Sequence, residues 1–171
     1  MWISLAAVLL DQASKILVAG TMSLGSSTRV IGDFFRLTYI HNPNAAFSLF
    51  LGGSTVHLVG SAVAMLFILA VLWRSQTEPA LPRAALALIL GGAIGNGIDR
   101  VRLKEVIDFL DVEFFNVEVH FWKIHFDLQR WPVFNVADAA VVIGAILLAA
   151  YYLLPRKARS VHGETNCTVG T

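Results

Sequence analysis

Four apolar segments alternate with polar stretches along the chain. Residues 56–73 and 136–154 are almost uninterrupted, whereas residues 2–19 are interrupted by Asp11, Gln12 and Lys15, and residues 84–99 are short and rich in glycine. A helix needs about 20 mainly apolar residues to cross roughly 30 Å of hydrocarbon. The two weaker segments still qualify because their polar residues are few and regularly placed. The pattern therefore predicts four transmembrane helices, at about 2–19, 56–73, 84–99 and 136–154.

The first and third segments each have a feature that suits a helix bundle. The first lacks a basic start and contains an Asp/Lys pair where the core of a cleaved signal peptide would be unbroken, so we expect a retained span. In the third, Gly91 and Gly95 form a small-xxx-small pair that lets a neighbouring helix approach closely. We expect the third helix to lie in the middle of the bundle.

Two polar stretches between the spans have patterns typical of strands. Apolar and polar residues alternate imperfectly over residues 112–126, which predicts a hairpin, and residues 28–40 look similar. We expect a small sheet on the outer membrane surface, with Phe and Trp side chains facing lipid.

The distribution of Lys and Arg predicts the orientation in the membrane. Arg74 and Arg83 flank the short connection between the second and third spans, and basic residues begin the tail. By the positive-inside rule both termini are cytoplasmic and the long stretches are outside. The predicted fold class is an all-α membrane protein with four transmembrane helices and a small extracytoplasmic β-sheet. It forms one integral-membrane domain, residues 1–171, with a cytoplasmic polar tail at 156–171.

Composition supports a membrane protein and excludes several other classes. Of the 171 residues, 56% are hydrophobic and only 15% are charged, with a mean hydropathy of +0.67. Soluble domains have about 25% charged residues. The net charge of +1 offers no clustered basic face, so nucleic acid is not an expected partner. The one cysteine, Cys167, has no partner for an internal disulfide.

Asp11 and Lys15 lie within the first span, where charged side chains are expensive. Their i, i+4 spacing places them on one helix face as an ion pair. We favour a structural role for this pair, bracing neighbouring helices or loops, over direct chemistry.

Further polar residues gather at the outer ends of the third and fourth helices. Three share a face at the end of the third helix, one follows in an apolar loop segment, and two lie i, i+3 apart at the start of the fourth helix. They are Asn96, Asp99, Arg100, Asp108, Asn135 and Asp138.

Two chemical interpretations of these residues stay open at this point. Two neighbouring carboxylates in a partly apolar site share a proton, so Asp108 and Asp138 could activate a water and protonate a leaving amine. Alternatively, Asn135 and Asp138 only cap the fourth helix. The histidines His41, His57, His120 and His125 lack metal-ligand spacing, so no metal or other cofactor is predicted.

Five motifs in order resemble the bacterial lipoprotein signal peptidase (signal peptidase II) family. They are Asp11-Gln12-Ala13-Ser14-Lys15, His41-Asn42-Pro43-Asn44-Ala45-Ala46-Phe47-Ser48, the segment from Gly91 to Arg100, Val106-Ile107-Asp108-Phe109, and Phe134-Asn135-Val136-Ala137-Asp138.

The resemblance implies a membrane aspartic endopeptidase that cleaves a signal peptide just before a diacylglyceryl-modified cysteine. Its partners would be lipid-modified prolipoproteins and membrane lipid, its location the bacterial inner membrane, and its active site at the outer face. By resemblance Asp108 and Asp138 are catalytic. The implied supporting polar shell, which also binds substrate, consists of Asp11, Lys15, Asn42, Asn96, Asp99, Arg100 and Asn135.

Two departures from the family pattern are visible. Asn44 stands where the family usually has glycine, and after glycine Asn is the residue that best tolerates a left-handed backbone. Residues 110–131 form a longer stretch than the family pattern, and we expect a lineage-specific lid there.

Two other functions remain as alternatives at the level of sequence. A small transporter or channel subunit would use the buried polar residues to line a path. A noncatalytic assembly factor would use them only to pin helices together.

Overall fold

The computed structural model describes residues 1–43, 54–121 and 124–154. Four helices and four strands lie within these ranges, and a single 3₁₀ turn, Ser75–Thr77, joins the second helix to the third. The helices are α1 (Trp2–Thr21), α2 (Ser54–Arg74), α3 (Ala80–Leu103) and α4 (Val136–Leu153), and the strands are β1 (Ser27–Ile31), β2 (Phe35–Asn42), β3 (Val106–Phe121) and β4 (Ile124–Arg130).

Three of the described helices, α1, α3 and α4, are long and apolar enough to cross a membrane. Within α2 the corresponding apolar segment, Ala62–Arg74, is shorter than this length. Helix α3 is longer than the predicted 84–99 because Pro82 lies in its first turn, where a missing N–H breaks no helical hydrogen bond. The structure is mostly helical, as predicted.

Helix α3 lies between α1 and α4, which confirms its predicted central position. A Cβ added to Gly91 would come within 2.7 Å of the Ala7 Cβ on α1. On the other side, a Cβ added to Gly144 of α4 would come within 2.6 Å of the Ala85 carbonyl oxygen of α3. Both glycines therefore permit helix backbones to approach more closely than any larger residue would allow.

The strands form one antiparallel sheet in the order β1-β2-β3-β4. Both predicted hairpins are confirmed, β1 with β2 and β3 with β4. Strand β3 begins at Val106, before the predicted alternating segment, so the prediction that Asp108 lies in a loop is wrong. Ile107 and Phe109, on either side of Asp108, are both buried, so neither face of the strand is exposed to solvent here. The sequence therefore lacks the alternation of apolar and polar residues by which a strand is predicted.

A small apolar cluster attaches the sheet to the first helix. Val18 of α1 packs with Tyr39 of β2 and with Ile107 and Phe109 of β3. The cluster packs the start of β3 against the helix bundle. This contact fixes the position of Asp108 relative to the ends of the helices.

Several predictions concern residues outside the described ranges. Asn44 and the tail at 156–171 lie outside them. The single-domain organisation and the lid function of the β3–β4 hairpin stay predictions.

Candidate active site

A buried ion cluster lies between α1 and α3. Lys15 Nζ is 2.9 Å from Asp11 Oδ2 and 2.8 Å from Asp99 Oδ2, and it donates a 2.9 Å hydrogen bond to Asn96 Oδ1. The three donors of the ammonium group thus have three oxygen partners, which is what a fully buried lysine requires. The predicted pairing of Asp11 with Lys15 is confirmed.

The two aspartates of this cluster also hold the chain segments that follow. Asp11 Oδ1 accepts a 2.9 Å hydrogen bond from the Ala137 backbone N–H in the first turn of α4. Asp99 Oδ2 accepts a 3.2 Å hydrogen bond from the Ile107 backbone N–H at the start of β3. The ion cluster therefore positions the helix that carries Asp138 and the strand that carries Asp108.

Gln12 belongs to the same cluster, although it was not among the predicted site residues. Its Nε2 atom donates to Asp11 Oδ2 at 3.1 Å, to the Gly95 carbonyl at 3.2 Å and to Asp99 Oδ1 at 3.1 Å. The signal for it was present in the sequence, because an amide within an apolar span needs a partner for its N–H groups.

Asn135 is the N-cap of α4 and forms a capping box with Asp138. The Asn135 side chain accepts a 2.9 Å hydrogen bond from the Asp138 backbone N–H, and the Asn135 backbone N–H donates to Asp138 Oδ2 at 3.2 Å. The interpretation of these residues as a helix cap is therefore correct.

The same asparagine also contacts the other carboxylate. Asn135 Nδ2 donates a 2.7 Å hydrogen bond to Asp108 Oδ1. Capping and membership of a two-carboxylate site are thus not exclusive alternatives, because a single side chain links Asp108 to the turn that carries Asp138.

Each carboxylate has a second amide donor. Asn42 Nδ2 donates to Asp108 Oδ2 at 2.8 Å, and Asn96 Nδ2 donates to Asp138 Oδ1 at 2.8 Å. Five predicted residues therefore meet in one connected group, which joins the ion cluster through Asn96. They are Asn42, Asn96, Asp108, Asn135 and Asp138.

Arg100 does not join this group through any hydrogen bond or ion pair in the described ranges. It is half-buried in the last turns of α3, one residue beyond Asp99. Its membership of the polar shell stays a prediction.

The environment of Asp108 favours its protonated form. The residue is 2% exposed, and burial raises its pKa to about 6, although the hydrogen bond from Asn42 opposes the increase. The neighbouring charge of Asp138 raises the pKa of Asp108 further. Two interacting carboxyl groups, one protonated and one ionised, can act together as an acid and a base.

Two further features bear on ligand binding in this region, namely potential metal ligands and a cavity. Within residues 1–43, 54–121 and 124–154, no three His, Cys, Asp or Glu side chains lie close enough to hold a metal ion. His41 instead contacts the Tyr39 hydroxyl at 3.0 Å and Glu105 Oε2 at 3.1 Å. A cavity of about 340 Å³ is lined by Lys15 and His41, among others, but by neither Asp108 nor Asp138.

Comparison with known proteins places these residues in a family. The family described as Signal peptidase (SPase) II matches residues 3–154. The chain belongs to the signal peptidase II family. All five motifs of the resemblance begin and end within the matched residues.

Curated relatives and solved structures agree with the signal peptidase II assignment. A lipoprotein signal peptidase of Geobacter sulfurreducens is 46% identical over 149 residues, covering 85% of each chain. One of Moorella thermoacetica is 40% identical over 153 residues, covering 90% of this chain and 91% of the relative. A bacterial membrane enzyme solved by the in meso method at 1.9 Å resolution superposes with a TM-score of 0.69 and 31% identity, covering 91% of this chain and 92% of that one.

These likenesses decide between the functional alternatives. Membership of the signal peptidase II family makes the protein an aspartic peptidase of the membrane. The transporter and assembly-factor alternatives are not supported.

Proposed function

We propose that this protein is a lipoprotein signal peptidase whose catalytic residues are Asp108 and Asp138. It removes the signal peptide from diacylglyceryl-modified prolipoproteins by cutting before the lipidated cysteine. The observation that supports this most directly is the bridge made by Asn135, which hydrogen-bonds Asp108 and caps the helix turn that carries Asp138. The curated relatives named above have the same function in their names.

The proposed reaction needs only a water molecule and the two carboxyl groups. One ionised carboxylate takes a proton from the water while the water oxygen attacks the scissile carbonyl carbon. The protonated partner donates its proton to the carbonyl oxygen, which gives a neutral tetrahedral intermediate. Its collapse breaks the C–N bond as the proton taken from the water passes to the leaving amine. One hydroxyl of the intermediate returns a proton to the carboxylate that had acted as the acid, which restores the pair and leaves a carboxylic acid product.

The remaining polar residues act as a supporting shell in this proposal. Asp11, Lys15 and Asp99 form the buried ion cluster that holds α4 and β3 in place. The side-chain amides of Asn42, Asn96 and Asn135 orient the carboxylates, and we assign Arg100 to the substrate-facing part of the shell.

The proposed topology has four spans, with α2 as the fourth. Both termini lie in the cytoplasm and the active site faces the outer side of a bacterial inner membrane. This is supported by Arg74 and Arg83, which flank the connection between α2 and α3 on the side opposite the sheet. The whole chain, residues 1–171, would be one peptidase domain with a cytoplasmic tail at 156–171.

The lipid on the substrate is part of what the enzyme recognises in this proposal. The carboxylates lie where the helix ends meet the sheet, a level at which an unmodified extended peptide would spend little time. Each buried CH₂ of an acyl chain contributes roughly 0.8 kcal/mol to membrane anchoring, so two chains hold the cysteine at this level.

The test uses two substrates of the same sequence, one with a diacylglyceryl-modified cysteine and one unmodified. Purified protein in nanodiscs is incubated with each, and the products are measured by mass spectrometry. We expect cleavage before the cysteine of the modified form only. Equal cleavage of both forms would refute the lipid requirement, and absence of any peptide product would refute the proposed function.

A further inference from the structure

The two carboxylates of the site differ in the kind of donors they face. Asp138 Oδ2 accepts from the backbone N–H of Asn135 and Asp138 Oδ1 accepts from the Asn96 side chain. A backbone N–H cannot become an acceptor. Asp108 accepts instead from two side-chain amides, those of Asn42 and Asn135.

The side-chain amide of Asn96 cannot be rotated by half a turn without losing hydrogen bonds. Its oxygen accepts from Lys15 Nζ at 2.9 Å and from Asn135 Nδ2 at 3.0 Å. Rotation of the amide by half a turn would place its NH₂ group against an ammonium and a second NH₂ group. Because the oxygen is held by the cation, the NH₂ group is held towards Asp138.

Both oxygens of Asp138 therefore face N–H groups that can only donate. Such donors, one of them a backbone N–H and the other fixed by Lys15, stabilise the ionised form of Asp138. Asp138 also lies in the first turn of α4, where the helix dipole favours a negative charge. Asp108 lies in a strand, which has no comparable dipole.

The charged groups that act on Asp138, together with the ion cluster beside it, come from three elements. They are Asp11 and Lys15 on α1, Asp99 on α3 and Asp108 on β3. Asp11 and Asp99 each bind Lys15 and a backbone N–H group. Lys15 is in addition one amide group away from Asp138, through Asn96.

We propose that Asn96 is a positioning residue that transmits the charge of Lys15 to Asp138, so that Asp138 holds the negative charge of the pair and Asp108 holds the proton. Asp138 is then the base that takes the proton from water, and Asp108 is the acid that protonates the scissile carbonyl oxygen. The role of this proton in hydrolysis rests on the function proposed above, whereas its location on Asp108 does not depend on that function.

The location of the proton can be measured without substrate. Infrared difference spectra between the wild type and each of Asp108→Asn and Asp138→Asn isolate the C=O stretch of a protonated carboxyl as the pH is varied. We expect a band that is lost in Asp108→Asn and retained in Asp138→Asn, with a lower midpoint because the neighbouring charge is gone. A band lost in Asp138→Asn and retained in Asp108→Asn would overturn the assignment.

The role of Asn96 is tested by the pH dependence of cleavage. In Asn96→Ala the carboxylate of Asp138 loses a fixed donor, so the acidic limb of the profile should move upward by about one pH unit or more. The matched variant Asn42→Ala removes a donor to the ionised form of Asp108. In this variant the alkaline limb of the pH–rate profile should move to higher pH instead. An alkaline shift alone in Asn96→Ala would overturn the proposal.

Two results separate this inference from the proposed function. If Asn96→Ala does not fold, the infrared comparison of the two aspartate variants still decides the location of the proton. If neither carboxylate is needed for cleavage, the proposed function fails even when the infrared band is assigned to Asp108.

Discussion

Asn135 donates a 2.7 Å hydrogen bond to Asp108 while its own backbone N–H is held by Asp138. Because Asn135 is the N-cap of α4, the geometry of the two carboxylates is set by the same contacts that begin the helix. A change that disturbs the cap should therefore disturb the site, and the predictions below distinguish residues that react from residues that hold the site together.

Replacing either proposed catalytic aspartate should abolish cleavage while the protein remains in the membrane. Asn keeps the shape of the carboxylate but removes the shared proton, so Asp108→Asn and Asp138→Asn should each lower the cleavage rate by at least roughly 10²-fold. The measurement is turnover of a lipid-modified precursor, with protein level in membranes determined in parallel. Asp33→Asn, an exposed carboxylate in the turn between β1 and β2, is the matched control and should be fully active. Substantial turnover by either catalytic variant would disprove the two-carboxylate mechanism.

Asp11→Asn should reduce stability more than it reduces the intrinsic rate. The substitution removes one of two carboxylates bound to Lys15 and leaves a buried ammonium with weaker compensation, although Asp99 remains. Removing one partner of a buried pair costs about 3–5 kcal/mol, and we expect somewhat less here because of Asp99. Thermal unfolding in detergent measures the stability, and the rate per folded molecule is measured separately. A variant as stable as the wild type but inactive would place Asp11 among the catalytic residues.

Gly91 and Gly97 of α3 should respond differently to alanine. A Cβ at Gly91 would lie 2.7 Å from the Ala7 Cβ and 2.8 Å from the Ser4 carbonyl oxygen, whereas one at Gly97 would lie 3.5 Å from the end of the Met65 side chain. Gly91→Ala forces α1 away from α3 and should cost about 1–3 kcal/mol. Gly97→Ala should be tolerated, because 3.5 Å is ordinary contact with a flexible group. Equal melting temperatures of the two variants would contradict the close approach of α1 to α3.

Much of the fold could be predicted because helix spans and hairpins leave periodic signals. The central position of α3 followed from Gly91, and the Asp11–Lys15 pair from its spacing. The strand position of Asp108 could not be predicted, because a strand end buried against a helix shows a nearly continuous apolar run instead of alternation.

The polar contacts of the site were predicted only in part, for a different physical reason. Sequence spacing places Asn135 and Asp138 on the same turn, but it does not show that the Asn135 amide reaches across to Asp108. Gln12 was missed as a site residue because two of its three partners, Gly95 and Asp99, lie on another helix. Local spacing constrains neighbours on one element and says little about contacts between elements.

The cleavage rate should fall as the pH rises through the pKa of Asp108. Burial raises this pKa from 3.8 to about 6 in the folded protein, so the acid is mostly protonated below pH 6 and mostly ionised above it. A dyad that works with one shared proton loses its active form when that proton leaves. The second-order rate constant of cleavage, measured against pH with an uncharged substrate sequence around the cut, should therefore show an alkaline limb near pH 6.

The same pKa difference predicts how stability depends on pH. Between 3.8 and about 6 the folded protein keeps a proton on Asp108 that the unfolded chain releases, so the contribution of Asp108 to stability decreases as the pH rises through this range and is constant above it. Unfolding of the wild type and of Asp108→Asn, which has no titratable group at this position, isolates the contribution of Asp108. An identical dependence in both proteins, together with a cleavage rate that does not fall near pH 6, would show that Asp108 titrates at its ordinary pKa and does not hold the proton of the pair.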